Sequence, residues 1–248
     1  MSVYGGYNEP RIRFDAIGEA WKLVQSNMGT WVATMLAYLG TLFGVSFVFG
    51  FLGVLISGGN QDGAAYFLVQ GIANLISYAL SGWLIGGLYR MAIAQVRGEP
   101  VQVGDLFKAT DVIVPMILAT MLIGIGTMFG LLFCIVPGII LSSLWMLTYP
   151  LIADQNMAPV EAMTRSLNAL KGQMGSAVGL SVVSGFVASL GILGCGIGLL
   201  VTAPIAVLTW AIVYNDFFGS QTSSEEPPSY YSQRPQSPPP PPGQMPGL

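Results

Sequence analysis

Four long stretches of the chain, 28–61, 63–89, 112–153 and 172–215, contain no Asp, Glu, Lys or Arg. In water a helix must present a polar face, whereas a bilayer penalises charge and rewards apolar length. Most of this polypeptide is therefore built for lipid. The balance of residue types agrees, with 53% hydrophobic and 8% charged side chains against about 25% charged in ordinary soluble domains.

A helix needs about 20 apolar residues to cross a hydrocarbon core of about 30 Å. Runs 112–153 and 172–215 are each long enough for two crossings and carry turn residues near their middles, Pro137 with Gly138 and then Gly194, Gly196 and Gly198. Each predicts a helical hairpin. The run from Met28 to about Ile56 predicts one helix that tilts, or bends near Gly40, Gly44, Gly50 or Gly53. A β-barrel would alternate apolar and polar residues in segments of about ten, and the continuous stretch MILATMLIGIG does not. The expected fold class is all-α, a polytopic transmembrane bundle of six spans with short interfacial helices. Its expected divisions are 1–27 as the cytoplasmic N-terminus and interfacial helix, 28–218 as the membrane domain, and 219–248 as a disordered, Pro-rich cytoplasmic tail.

Orientation follows from the cations. Drawn with six spans, all 9 Lys and Arg residues fall on one side: Arg11, Arg13, Lys22, Arg90, Arg97, Lys108, Arg165, Lys171 and Arg234. The positive-inside rule makes that side cytoplasmic, with both termini inside a bacterial inner membrane. No apolar h-region follows the first arginines closely, so the first span is read as an uncleaved insertion signal. Trp31, Trp83, Trp145 and Trp210 fall toward the same side, where an interfacial aromatic belt would keep each indole N–H wet.

Three segments read as interfacial elements ahead of the spans. Phe14, Ile17, Trp21 and Val24 recur at helical spacing between Asp15, Glu19 and Lys22. Asp105 can cap a turn that puts Leu106 and Phe107 toward lipid, and Val160, Met163, Leu167 and Leu170 form a stripe after Pro159. The second and third units also align at Pro100/Pro159, Cys134/Cys195 and Asp154/Asp216, either as an internal repeat or because one bilayer thickness dictates similar hairpins.

Candidate chemistry is sparse. The chain has no histidine, which removes His-based triads and the commonest zinc ligand, and its two cysteines cannot supply a four-thiolate site. The GCGIG motif around Cys195 follows no strand and carries no nucleotide role. No catalytic, cofactor-binding or metal residue is assigned, and no nucleic-acid partner is expected. Cys134 and Cys195 fall at one outer level, where they either form a disulfide or remain free thiols treated as small apolar residues. Gln70, Asn74, Ser77 and Ser81 share a face of the second span, either lining a polar path or bonding between helices. Glycine pairs Gly40/Gly44, Gly82/Gly86, Gly126/Gly130 and Gly175/Gly179 suggest close helix approaches. Asp154, Glu161, Arg165, Lys171 and Asp216 gather at the inner face as boundary charges that either pair or meet water and headgroups. In the tail, PPSY at Pro227–Tyr230 matches the pattern read by WW domains, and the arm is a candidate contact for a protein partner.

The segments FDAIGEAWKLVQSNMGTWV, RGEPVQVGDLF, PGIILSSLWMLTYPLIAD and VEAMTRSLNALKG resemble uncharacterised bacterial six-span families related to the membrane domain of glycerophosphoryl diester phosphodiesterase, including DUF975-like and YciC-like proteins. The resemblance covers about 12–218. It implies a helical integral membrane domain without established activity, and it brings no catalytic residues, since that enzyme's barrel, histidines and metal-binding carboxylates are missing. The expected role is non-enzymatic, organising envelope partners or membrane lipids, with a homo-oligomer among the candidate partner arrangements. The alternative is a small transporter or channel with a passive polar path.

Overall fold

The structure is a computed structural model, and it describes residues 11–133, 135–193 and 198–222. Among them are six helices long and apolar enough to cross a membrane. The protein is an all-α polytopic bundle. Its elements are α1 (Asp15–Ser26), α2 (Met28–Ile56), α3 (Ala64–Val96), a 3-10 turn (Val103–Phe107), α4 (Ile113–Phe133), α5 (Ile135–Leu144), α6 (Thr148–Gln155), α7 (Pro159–Leu170), a second 3-10 turn (Lys171–Gln173), α8 (Met174–Leu193) and α9 (Leu199–Thr222).

Three antiparallel hairpins, α2/α3, α4/α5 and α8/α9, close into a ring. The second span of each hairpin touches the first span of the next, as α3 with α4, α5 with α8, and α9 with α2. The short elements follow the same cycle, each packing on the last span of the preceding unit: the Val103–Phe107 turn on α3, α7 on α6, and α1 on α9. In the middle α3, α6 and α9 meet one another. There the unbroken buried stretches 86–95, 150–154 and 208–214 form the core. This core lies at the end of the bundle that carries the cations, and large apolar side chains such as Phe43, Phe47, Leu68 and Leu132 remain exposed elsewhere along the spans.

α2 is the single helix expected, uninterrupted over 29 residues. Other expectations shift. α3 has 33 residues, about 50 Å at 1.5 Å per residue, so it overshoots the hydrocarbon and carries Arg90 inside the protein. Pro137 and Gly138, expected as turn residues, lie inside α5, where Pro137 fits the first helical turn and its missing N–H costs nothing. Gly138 allows α4 and α5 to approach closely, since a Cβ on it would stand 2.7 Å from the Leu131 side chain. α9 runs to Thr222, past the Gly219 at which the tail was expected to begin. Cys134 and Cys195 lie outside the described residues, as do Arg234 and the Pro227–Tyr230 motif.

The interfacial elements use more than one face. α1 presents Ala16, Ala20 and Val24, all fully buried, to its protein neighbours, while Phe14 and Trp21 remain exposed. The expected stripe is thus split, with Val24 given to the protein. α7 buries Ala162, Ser166 and Leu170 at the same four-residue spacing, and Val160 is exposed. Both helices lead into Met-Gly, at Met28-Gly29 and Met174-Gly175. The middle element is a 3-10 turn instead of a helix, and Leu106 is fully buried, not turned toward lipid. Its carbonyl sits on Gly87, where any Cβ would collide with it.

Candidate functional site

The most concentrated polar chemistry lies where α3, α6 and α9 meet. The carboxylate of Asp154, with its side chain fully buried, accepts hydrogen bonds from Arg97 Nη1 at 2.8 Å and Nη2 at 2.6 Å. Tyr214 Oη donates to the same carboxylate at 2.7 Å. Gln155 Nε2 then donates to Tyr214 Oη at 3.0 Å, and Arg165 Nη1 donates to Gln155 Oε1 at 2.8 Å. The Arg165 guanidinium also stands over the Phe218 ring, 4.9 Å from its centre. One chain of polar contacts therefore joins α3, α6, α9 and α7.

Two further arginines close the ring. Arg90, itself buried, pairs two-pronged with Asp111 at 2.6 Å for each contact and donates from Nε to the Ala153 carbonyl at 2.9 Å. Its hydrogen bonds hold the Asp111 carboxyl below the usual carboxylate range; partial burial opposes this and the attraction of the guanidinium adds to it. Arg13, just ahead of α1, reaches Asp216 on α9 at 3.0 Å and Glu19 at 3.0 Å. Each junction between successive units thus has its own arginine: Arg90 between the first and second, Arg165 between the second and third, and Arg13 between the third and first.

Local sequence explains the positions. Pro150 has no N–H to give the Met146 carbonyl and its ring crowds that carbonyl, so the fourth span breaks between α5 and α6. Ser166 of α7 repairs the break, donating to the Leu144 carbonyl at 2.6 Å and accepting from the Leu147 N–H at 3.2 Å. Asn156 ends α6 in the left-handed conformation, φ 50°. At the other corner, Gln95 accepts from Trp31 Nε1 at 2.6 Å and donates to the Leu23 carbonyl at 2.7 Å. Tyr89 and Tyr149 stack with ring centres 5.9 Å apart.

The boundary-charge expectation changes accordingly. Asp154 is enclosed by protein and Asp216 is engaged by Arg13, while Glu161 and Lys171 are exposed. Trp31 and Trp210 are fully buried in the core and leave the expected belt; Trp83 and Trp145 are half-buried. Sequence reasoning missed Arg90, Arg97, Asp111, Gln155 and Tyr214 as a set. The available signal was that Arg90 directly follows a charge-free run within unbroken helical sequence.

The second-span polar residues do not act together. Ser81 Oγ lies 3.2 Å from Tyr38 Oη on α2, Gln70 Nε2 donates to Tyr66 Oη at 3.2 Å on its own helix, and Asn74 Nδ2 donates to the Gln70 carbonyl at 2.8 Å. Asn74 is exposed in a stretch where Ile72, Leu75 and Tyr78 are exposed as well, and Ser77 is half-buried. Of the glycine pairs, Gly82 and Gly86 abut Ile117, Met116 and Val112 of α4 and its approach, and Gly126 and Gly130 abut Trp145 and Gly138. Gly40, Gly44 and Gly175 meet nothing within 4 Å, and Gly179 meets the Phe14 ring. Among the described residues no three His, Cys, Asp or Glu side chains group closely enough to hold a metal ion.

No protein-family model matches the chain, and no solved structure matches it. Curated relatives include the uncharacterized protein Rv2560 of Mycobacterium tuberculosis and the uncharacterized protein Mb2590 of Mycobacterium bovis. Each is 22% identical over 227 residues, covering 84% of this chain and 69% of its own length.

Proposed function

We propose that this protein is a non-enzymatic organiser of a bacterial cytoplasmic membrane, with its cation-bearing end and both termini in the cytoplasm. It belongs with the six-span families that its motifs resemble. The observation that carries the reading is how the polar groups are used: Arg13, Arg90, Arg97, Asp154, Asp216 and Tyr214 tie hairpin to hairpin. Buried charges satisfied by one another make a fixed hub, and the helices around it, α1 and α7, are left to meet lipids and partners. The Pro-rich tail is the candidate arm for a protein partner.

Proteoliposomes containing the full chain test this against the channel alternative, for which the polar residues Gln70 to Ser81 are the supporting feature. The expected result is no ion or small-solute flux above protein-free vesicles. Flux that falls in Ser81→Ala or Gln70→Leu would replace the organiser with a transporter. Orientation is read from a cysteine-free background carrying Lys108→Cys or Asp62→Cys, with a membrane-impermeant thiol reagent expected to reach only the second from outside the cell.

A further inference from the structure

Ahead of α1 the chain is pinned across the start of α8. The Ile12 N–H donates to Gln173 Oε1 at 2.8 Å, and a Cβ on Gly179 would stand 3.0 Å from Phe14 Cζ. Gly179 lies five residues beyond Met174, where α8 begins, about 7 Å deeper along the helix. Arg11 and Lys171, next to the two ends of the pin, are exposed cations. Arg11 has no partner among the described residues, and the Lys171 ammonium, 2.9 Å from Asn168 Oδ1, keeps donors to spare. The carboxylates Glu19 and Asp216 are engaged by Arg13. Phe14 and Met174 are 49% and 41% exposed, so apolar surface lies just below the charge.

We propose that this corner holds an anionic phospholipid, with the phosphate between Arg11 and Lys171 and an acyl chain against Phe14 and Met174 on α8. The pairing is complementary in charge and in depth: cations at the level where the helix begins, an aromatic ring one and a half turns inside. A zwitterionic lipid offers the same chain without the net charge. The inference rests on the membrane reading above and names the lipid class for one place in it.

Trp21 lies on the same flank of α1 as Phe14, two turns on, and is 39% exposed, which makes it a reporter. The full chain is reconstituted in phosphatidylcholine vesicles containing a fixed fraction of brominated phosphatidylglycerol or brominated phosphatidylcholine. The Trp21 contribution is the difference between the wild type and Trp21→Phe. Brominated phosphatidylglycerol is expected to compete for the site about fivefold better, and Arg11→Gln with Lys171→Gln should bring the ratio to about one, while quenching of the other tryptophans, unchanged, reports an intact fold. Equal quenching by both lipids in the wild type, or a preference that survives the double substitution, overturns the anionic seat and leaves the membrane reading standing. No quenching of Trp21 by either lipid sinks both.

Discussion

Arg97 and Asp154, 57 residues apart in sequence, form a two-pronged ion pair at 2.8 and 2.6 Å whose carboxylate side chain has no exposed surface. Burying a carboxylate is costly unless it is fully partnered, and here Tyr214 supplies a third hydrogen bond. The pair fixes where α3 and α6 meet.

Removing one partner should therefore cost more than removing both. Arg97→Met leaves a buried charge uncompensated and is expected to destabilise the protein by about 3–5 kcal/mol, whereas Arg97→Met with Asp154→Leu should recover much of that loss. Tyr214→Phe should cost about 1.5–3 kcal/mol. Denaturant unfolding in micelles reads all three, and strictly additive single effects would argue against the coupling.

Gly87→Ala tests the tightest glycine contact among the described residues. A methyl there meets the Leu106 carbonyl, which is backbone and cannot swing away. A loss of about 1–3 kcal/mol is expected. Gly40→Ala, where a Cβ meets nothing within 4 Å, should leave the melting temperature level or slightly raised.

Ser166→Ala removes the hydroxyl that bridges the broken fourth span. The Leu147 N–H is then buried without an acceptor, at a cost of about 1–3 kcal/mol. Backbone hydrogen exchange should quicken at Leu147 ahead of the rest of α6, and a uniform rise instead would mean that the bridge is not local.

Asp111 sets a pH dependence. Arg90 lowers its folded pKa below the unfolded value of about 3.9, so the pair's contribution is full above that value and is lost as pH falls through the lower, folded one. The stability gap between the wild type and Asp111→Asn should be constant near neutrality and shrink on acidification. A gap that persists to the lowest pH at which the protein stays folded would dissociate Asp111 from acid stability.

Much of the architecture is legible in the sequence because lipid imposes a simple test. Runs without charge, such as 112–153, have to be helices that cross, and their lengths set the number of crossings. Proline and glycine positions locate turns only approximately: Pro137 lies in the first turn of α5, which tolerates a missing N–H. α3 continues past the end of its charge-free run at Tyr89 because protein, not water, receives Arg90.

By itself the sequence determined the helical class and the six long apolar spans, since these depend on composition along the chain. Only the tertiary structure decided that α3, α6 and α9 meet, that Asp154 finds Arg97, and that Ala16 faces protein while Phe14 stays exposed. The physical reason is that a charge at a span boundary has similar local sequence whether it faces water or a partner. What distinguishes the two is a neighbour contributed by a distant part of the chain.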